Sequence, residues 1–378
     1  MAVRSITELS DLTGIPILLR ESLNVPVDNG RVTEPFRIDQ ALNTIEYLRR
    51  RRAKTIVISH IGSDRTQSLR PVAEYLRRTL PIGFVDDIVG PHAREAVSAM
   101  KDGDVVLLEN LRRHTGEMEN DEHFARLLAS LAHIYVNDDF AAAHRKHASI
   151  VTLPTLMPSY AGPTFIHELS QLTTARTPMA PSLAIIGGAK FLTKEPVIRA
   201  LVKMYDTVYV CGALANDFLR ARGMPVGKSL VSNATIDAKV LNHPRIVVPT
   251  DVTVQTEEGR KVRTVTDVET SDYIADIGPQ SLVQLTDLVT HAKTVLWNGP
   301  LGNFEIGFSE MTEAVAKLIA ESPGTSVVGG GDTIASIQKL GLNNKFEFIS
   351  TAGGAMLDFL AHGTLPGIEA LEKSKKLS

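Results

Sequence analysis

The stretch LAIIGGAKFLTK, Leu183 to Lys194, decides how the chain folds. Leu183 to Ile186 is a short unbroken apolar run, the pattern of a strand buried on both faces. Gly187 and Gly188 stop it, and the residues after Lys190 open a helical pattern, with Lys194 one turn further on. A doubly buried strand that feeds a helix is the repeating unit of a parallel α/β sheet. The same unit recurs in both directions. Upstream, Ile17 to Leu19, Thr55 to Ser59, Asp104 to Leu108 and Ile134 to Asn137 read as buried strands. Downstream, Thr207 to Val210, Ile246 to Val248, Thr294 to Trp297, Ser326 to Val328 and Glu347 to Ser350 read likewise. Amphipathic stretches such as Gln40 to Arg51 and Arg70 to Leu80 lie between them. The two series are separated by Ala161 to Pro181, a helical pattern on Ile166, Leu169 and Leu172 ending in Thr-Pro and Ala-Pro breakers. The expectation is α/β: two doubly wound parallel-sheet domains joined by a connecting helix and hinge. The boundaries fall at 1–165, 166–181 and 182–355, with the tail 356–378 returning to the first domain.

Composition narrows the class. A chain of 378 residues suits two domains, and 43% hydrophobic with 22% charged residues is an ordinary globular profile. No apolar run is long enough to cross a bilayer, and MAVRSITELS lacks an apolar export core, so a cytoplasmic address is expected. One cysteine, Cys211, excludes an internal disulfide and a thiolate metal cluster. A net charge of -3 gives no global pull toward nucleic acid.

Ligands of doubly wound sheets sit beyond the carboxyl ends of the strands. In the second half those ends carry Gly187-Gly188-Ala189-Lys190, Cys211-Gly212-Ala213, Asn298-Gly299-Pro300-Leu301-Gly302, Gly329-Gly330-Gly331-Asp332-Thr333 and Thr351-Ala352-Gly353-Gly354-Ala355. Glycine lets backbone N–H groups approach anionic oxygens, and a helix N-terminus adds a positive dipole end. Together these loops describe a polyphosphate seat, with Lys190 and Lys194 to neutralise charge. Asp332, opening a helix beside three glycines, suits Mg²⁺, which takes one or two protein carboxylates plus phosphate oxygens. In the first half the strand ends are basic instead: Arg20 and Asn24, His60, Arg112 and His144-Arg145, with Arg37 opening a helix. Guanidinium forks pair bidentately with phosphate and carboxylate, so this set suits a small phosphorylated acid.

The stretches LLRESLNVPVDNGRVTEPFRI, VISHIG, SLRPVAEYL, LLENLR, VNDDFAAAHRKHAS, IIGGAK, DIGP, WNGPLGNFE, GGGDT, STAGGA and LPGIEAL run along nearly the whole chain. In order and spacing they resemble phosphoglycerate kinases. The resemblance implies reversible phosphoryl transfer between 1,3-bisphosphoglycerate and ADP, giving 3-phosphoglycerate and ATP in glycolysis and gluconeogenesis. It implies Mg²⁺ as cofactor, ATP or ADP and the phosphorylated acid as the only partners, and a monomer without nucleic acid or membrane. Lys190 would stabilise the transferring phosphoryl group, with Arg37 meeting it too, and Gly353 and Gly354 would offer amides. Lys194, Gly330, Gly331 and Thr333 would meet the nucleotide phosphates, Asp332 the metal. Gly188, Gly212, Asn298, Pro300 and Glu305 would form the adenosine cleft, Glu305 on the ribose. Asn24, Arg37, His60, Arg112 and Arg145 would hold the acid, with Ser22 and Ser63 beside them.

This sequence departs from the family at Ser22 for Asp, Ser63 for Arg and Thr193 for Asp. Smaller changes are Arg113 for an aromatic, Asp139 for a small residue, Ala141 and Ala352 for glycine, and Asn303 for an apolar residue. Ser22 and Ser63 leave open the same fold acting on another carboxylic acid, with Arg65 and Arg113 as candidates to restore the lost charge. The alternative of another class is a non-catalytic nucleotide-binding paralogue, against which the retention of Lys190, Lys194, Asp332 and Arg37 counts. Three features read as decoys. Gly223 to Ser229 is one residue short of a phosphate-binding loop, Arg49 to Arg52 reads as a solvated helix end, and His144 and His147 lack further zinc ligands. A carboxylate nucleophile, with a pKa of about 4, is already ionised and needs no general base. Catalysis then rests on positioning and charge, and sites on two domains imply closure by hinge bending.

Overall fold

The computed structural model describes residues 3–63, 65–189, 191–232 and 234–375. The chain divides into two units, Met1–Ser170 with Thr364–Ser378, and Gln171–Gly363. The division falls inside the helix Pro163–Ala175 and after the helix Gly354–His362; the boundaries expected from sequence are 165/166, 181/182 and 355/356.

The first unit carries six parallel strands: β1 (Pro16–Arg20), β2 (Lys54–Ile58), β3 (Gly83–Val85), β4 (Val105–Leu108), β5 (Ile134–Asn137) and β6 (Ser159–Ala161). Their order is β3-β4-β2-β1-β5-β6. Side chains alternate between two cores. Ile17, Leu19, Val57, Leu107 and Val136 face one, and Leu18, Ile56, Ile58, Leu108 and Tyr135 face the other. Both faces being apolar explains why these strands read as unbroken apolar runs. The helix Phe36–Arg50 lays Ile38, Ala41, Ile45 and Leu48 on the first face, the spacing of one helical stripe. The C-terminal segment joins this unit: Gly367 N donates to Ala143 O at 2.8 Å, and Arg4 Nη2 donates to Lys375 O at 2.6 Å.

The second unit continues with β7 (Ser182–Ile186), β8 (Thr207–Val210) and β9 (Ile246–Val247). Three antiparallel strands follow, β10 (Asp251–Thr256), β11 (Gly259–Thr264) and β12 (Tyr273–Ile277), and then β13 (Thr294–Asn298), β14 (Thr325–Gly329) and β15 (Phe348–Ser350). The parallel sheet has the order β9-β8-β7-β13-β14-β15, and β10 lies between β11 and β12 in the smaller sheet. Leu183, Ile185, Tyr209, Val295, Trp297 and Val328 pack on Leu285, Val289, Val315 and Ile319. The antiparallel sheet has its own small core of Leu219, Val252, Val254, Val268 and Ile274.

Two doubly wound sheets agree with the sequence reading, and the added antiparallel sheet departs from it. β11 alternates half-buried and exposed residues, so its sequence GRKVRT carries no apolar run. β3 and β6 are three-residue edge strands, too short to stand out. The decoy Gly223 to Ser229 is structural. Gly227 bridges Tyr273, Lys228 N donates to Asp272 O at 2.8 Å, and Ser229 Oγ accepts from Ile274 N at 2.7 Å.

Candidate functional site

Each sheet reverses its strand order once, between β1 and β5 and between β7 and β13. A crevice opens where neighbouring strands send their connections to opposite faces. The second unit places its glycines there. Gly187 N donates to Asn298 O at 2.9 Å and Gly188 N to Pro300 O at 3.2 Å, which joins the loop after β7 to the loop after β13. Leu214 N donates to Gly188 O at 2.8 Å, which ties in the helix Ala213–Ala221. A Cβ on Gly187 would lie 2.1 Å from Pro300 O, and one on Gly212 2.7 Å from Gly188 N, where φ is also +62°. Side chains are excluded by this approach, so these positions require glycine.

A cavity of about 290 Å³ opens beside these loops. Gly188, Gly212 and Pro300 form its floor, Leu230, Val252 and Ile274 an apolar wall, and Glu305 and Asp332 stand at its polar side. An apolar lining with a few polar groups is the composition of a small-molecule site. Lys194 belongs to the helix Phe191–Met204 and donates through Nζ to the carbonyl of Gly187. Burial lowers its ammonium pKa to about 8, and the Cys211 sulfur and the Asp332 carboxylate offset only part of that shift. Asp332 lies exposed in the first turn of the helix Gly331–Lys339. Thr333 is buried, and its Oγ1 accepts from Gly299 N at 3.1 Å. Asn298 is also buried and donates to Met356 Sδ at 3.7 Å. Gly330, with φ +101°, precedes the helix of Gly331, and Gly353, with φ +55°, precedes the helix opened by Gly354. Both helix starts leave unpaired N–H groups for an anion. Lys190 lies outside the described residues.

The donor set fits a magnesium ion. Among the described residues there is no group of three or more His, Cys, Asp or Glu side chains that could hold a metal by itself. Mg²⁺ does not need one, because it keeps waters and phosphate oxygens around one or two carboxylates. Asp332 at the cavity side could supply one such carboxylate. The antiparallel sheet also brings in Asp276, which sequence reading quoted within DIGP without a role. Burial raises its carboxyl pKa to about 7, it lines the cavity, and its Oδ2 has no hydrogen-bond partner.

The first unit gathers its basic residues around the end of β1. Arg37 Nη1 donates to Asn24 O at 2.9 Å, and Asn24 Oδ1 accepts from Gly62 N at 2.9 Å. Arg112 donates to Gly62 O and is almost fully buried. His60 is buried and held well below the usual imidazole pKa, first by burial and then by the charges of Arg20, Arg112, Arg145 and His147. Asn24, Arg37, His60, Arg112 and Arg145 therefore form one basic cluster. Ser22 is half-buried next to it, while Ser63, Arg65 and Arg145 are exposed.

Two sequence expectations change here. Arg20 is fully buried, and its guanidinium is spent on Asp139, Glu21 O, Ser149 and His60, so it is a hub of the scaffold and not a ligand group. Arg113 does not restore lost charge to the pocket, because Glu109 holds it at 2.7 Å and Asp86 at 3.2 Å. His147 sits 3.9 Å from Glu117, a carboxylate contact and not a metal set.

Known proteins give the arrangement its family. The family model described as phosphoglycerate kinase matches residues 6–363. The phosphoglycerate kinase of Wolbachia sp. subsp. Drosophila simulans is 42% identical over 392 residues, covering 97% of this chain and 98% of that protein. That of Pelotomaculum thermopropionicum is 42% identical over 391 residues, covering 98% and 99%. The solved phosphoglycerate kinase of Coxiella burnetii superposes with a TM-score of 0.86 at 35% identity, covering 99% of this chain and all 100% of that one. The Pyrococcus horikoshii OT3 enzyme gives 0.87 at 29% identity, covering 98% of each. With sequence and fold matching along nearly its full length, the chain belongs to the phosphoglycerate kinase family.

Proposed function

We propose that the protein transfers a phosphoryl group reversibly between 1,3-bisphosphoglycerate and ADP, giving 3-phosphoglycerate and ATP. The observation that carries this reading is the cavity lined by Gly188, Gly212, Pro300 and Asp332 beside Lys194, carried on a chain that also has a basic cluster for a phosphorylated acid. The acceptor carboxylate is ionised at neutral pH, so the chain has to supply orientation and positive charge and no base. In this reading Arg37, Arg112 and Arg145 hold the anionic ends of the acid, and Asn24, His60, Ser22 and Ser63 offer hydrogen bonds. Gly188, Gly212, Asn298, Pro300 and Glu305 take the adenosine, and Lys194, Gly330, Gly331 and Thr333 take its phosphates. Asp332 holds Mg²⁺, whose charge offsets that of the phosphate oxygens. Lys190, Arg37, Gly353 and Gly354 meet the group in transfer. We place this activity in glycolysis and gluconeogenesis, in a cytoplasmic monomer that acts on small molecules and not on nucleic acid or membranes. No helix among the described residues is long and apolar enough to cross a membrane.

The test is ADP release from MgATP with 3-phosphoglycerate, repeated with other short phosphorylated acids and accompanied by a nucleotide-binding control. Release that depends on 3-phosphoglycerate is expected. Nucleotide binding with no release for any acid would leave a binding protein.

Two results should follow from the geometry. Lys194 loses half its charge near pH 8 in the free protein, and bound phosphates favour its protonated form. ADP binding should therefore take up protons near pH 8 and weaken between pH 7 and pH 9. Calorimetry in buffers of different ionisation enthalpy reads this directly, and binding without proton uptake at pH 8 would remove Lys194 from the phosphate site. At the acid pocket, Ser22 can hydrogen-bond but brings no charge. A hydrogen bond to a charged group contributes about 1.5–3 kcal/mol, against about 0.5–1.5 for a neutral pair. Ser22→Asp should accordingly lower KM for 3-phosphoglycerate by roughly three- to thirtyfold. An unchanged or higher KM would point to a different acid.

A further inference from the structure

The buried contacts of Arg20 determine more than the local packing. Arg20 Nη2 lies 2.9 Å from His60 Nδ1, and Arg20 Nη1 lies 2.8 Å from Asp139 Oδ2. A guanidinium has only donors and does not give up its proton in proteins. His60 Nδ1 must therefore present its lone pair, and the ring proton sits on Nε2. An imidazolium, with both nitrogens protonated, is incompatible with the contact.

Asp139 holds the guanidinium to this task. Its Oδ1 accepts from Ala142 N at 3.1 Å, which fixes the carboxylate at the start of its own turn. On the other side Arg20 Nε donates to Ser149 Oγ at 3.1 Å, and Ser149 donates in turn to Glu117 at 2.6 Å. Arg20, Asp139 and Glu117 are all 0% exposed, so no solvent competes for these bonds. Asp139 is the one carboxylate paired with the guanidinium among the described residues. We propose that Asp139 is a positioning residue which, through Arg20, fixes His60 as the Nε2–H tautomer, so that the nitrogen left to meet the acid substrate is a hydrogen-bond donor. A donor is what a carboxylate or phosphate oxygen needs.

The surrounding charges act in the same direction. His60 faces Arg20 from β1, Arg112 from the turn after β4, and Arg145 and His147 from the segment after β5, with Asp139 Oδ2 at 3.9 Å as the opposing charge. Four basic neighbours against one carboxylate disfavour a protonated ring. The inference rests on the acid-site reading for its purpose, and its readout does not.

Long-range ¹H–¹⁵N correlation of the full-length, ligand-free protein reports the tautomer. The wild-type should show His60 with Nε2 protonated and Nδ1 bare throughout pH 5.5 to 8. In Asp139→Ala the guanidinium loses its anchor, so both tautomers should appear. KM for 3-phosphoglycerate should rise roughly tenfold with kcat within about twofold, the mark of lost uniform binding. Asp139→Asn, which can still accept from Arg20, should keep the tautomer and most of the affinity. If Asp139→Ala does not fold, Arg20→Lys decides, because one ammonium cannot bridge Asp139 and His60 as the fork does. A protonated Nδ1 in the wild-type, or a wild-type tautomer retained in the folded Asp139→Ala protein or in Arg20→Lys, overturns the proposal. A fixed tautomer in a protein that ignores 3-phosphoglycerate would instead count against the acid reading alone.

Discussion

Lys190→Ala is expected to lower kcat by about 10²–10³-fold while KM for the nucleotide changes little. Lys190 itself lies outside the described residues, so its place in the chain carries the expectation. It stands between Ala189, at the cavity, and Phe191, the first residue of the helix Phe191–Met204. In the proposed reaction a cation there meets charge that shifts onto the moving phosphoryl oxygens. One such preorganised group contributes about 2.7–4 kcal/mol to the barrier. Lys194 provides the contrast. Its Nζ donates to the Gly187 carbonyl beside the cavity, so Lys194→Ala should act mainly on nucleotide affinity. Steady-state kinetics of both variants separates the roles. A Lys190→Ala enzyme with unchanged kcat and a raised nucleotide KM would make Lys190 a ground-state ligand only.

Gly187→Ala should cost more than tenfold in ADP affinity, by way of the backbone. The new methyl would lie 2.1 Å from Pro300 O and 2.9 Å from Gly299 O, both main-chain atoms that cannot rotate aside. The loops after β7 and β13 would have to separate, which breaks the Gly187–Asn298 and Gly188–Pro300 hydrogen bonds. Overpacking of this kind costs roughly 1–3 kcal/mol of stability. Loss of the spacing between Gly188, Gly212 and Pro300 then removes the floor of the cavity. Calorimetry with MgADP and a urea melt of the same preparation measure both effects. A variant with wild-type affinity and stability would show that the two loops do not approach as described.

The sequence made the strand ends legible because they combine two strong local signals. A doubly buried strand leaves an unbroken apolar run, and a backbone that must approach anions leaves glycines. Gly187-Gly188, Gly212, Asn298-Gly299-Pro300 and Gly330-Gly331-Asp332 were visible for that reason; in the structure Gly188, Gly212, Pro300 and Asp332 line one cavity, Gly187 and Asn298 are hydrogen-bonded in the loops beside it, and Gly330 and Gly331 start a helix. The wall of that cavity was not legible. Val252 and Ile274 come from the antiparallel sheet, whose edge strand alternates without an apolar run, and Asp276 arrives with it. Partner choice between charged residues was also hidden. Arg20 and Arg113 read from sequence like Arg37 and Arg112, as cations near strand ends. What separates them is long-range: Asp139 claims Arg20 from the end of β5, and Asp86 shares Arg113 with Glu109. No local pattern encodes such a pairing, because either partner alone is compatible with a solvated surface.

In the proposed reaction a carboxyl oxygen receives the phosphoryl group. Incubation with MgATP and 3-phosphoglycerate in the presence of hydroxylamine tests it most directly, since hydroxylamine converts an acyl phosphate to a stable hydroxamate. The hydroxamate of 3-phosphoglycerate, formed with release of inorganic phosphate from C1, is expected in amounts equal to the ADP released, dependent on both Mg²⁺ and the acid, and strongly reduced in Lys190→Ala. ADP release without hydroxamate, or none at all from a protein that binds MgATP, would contradict it.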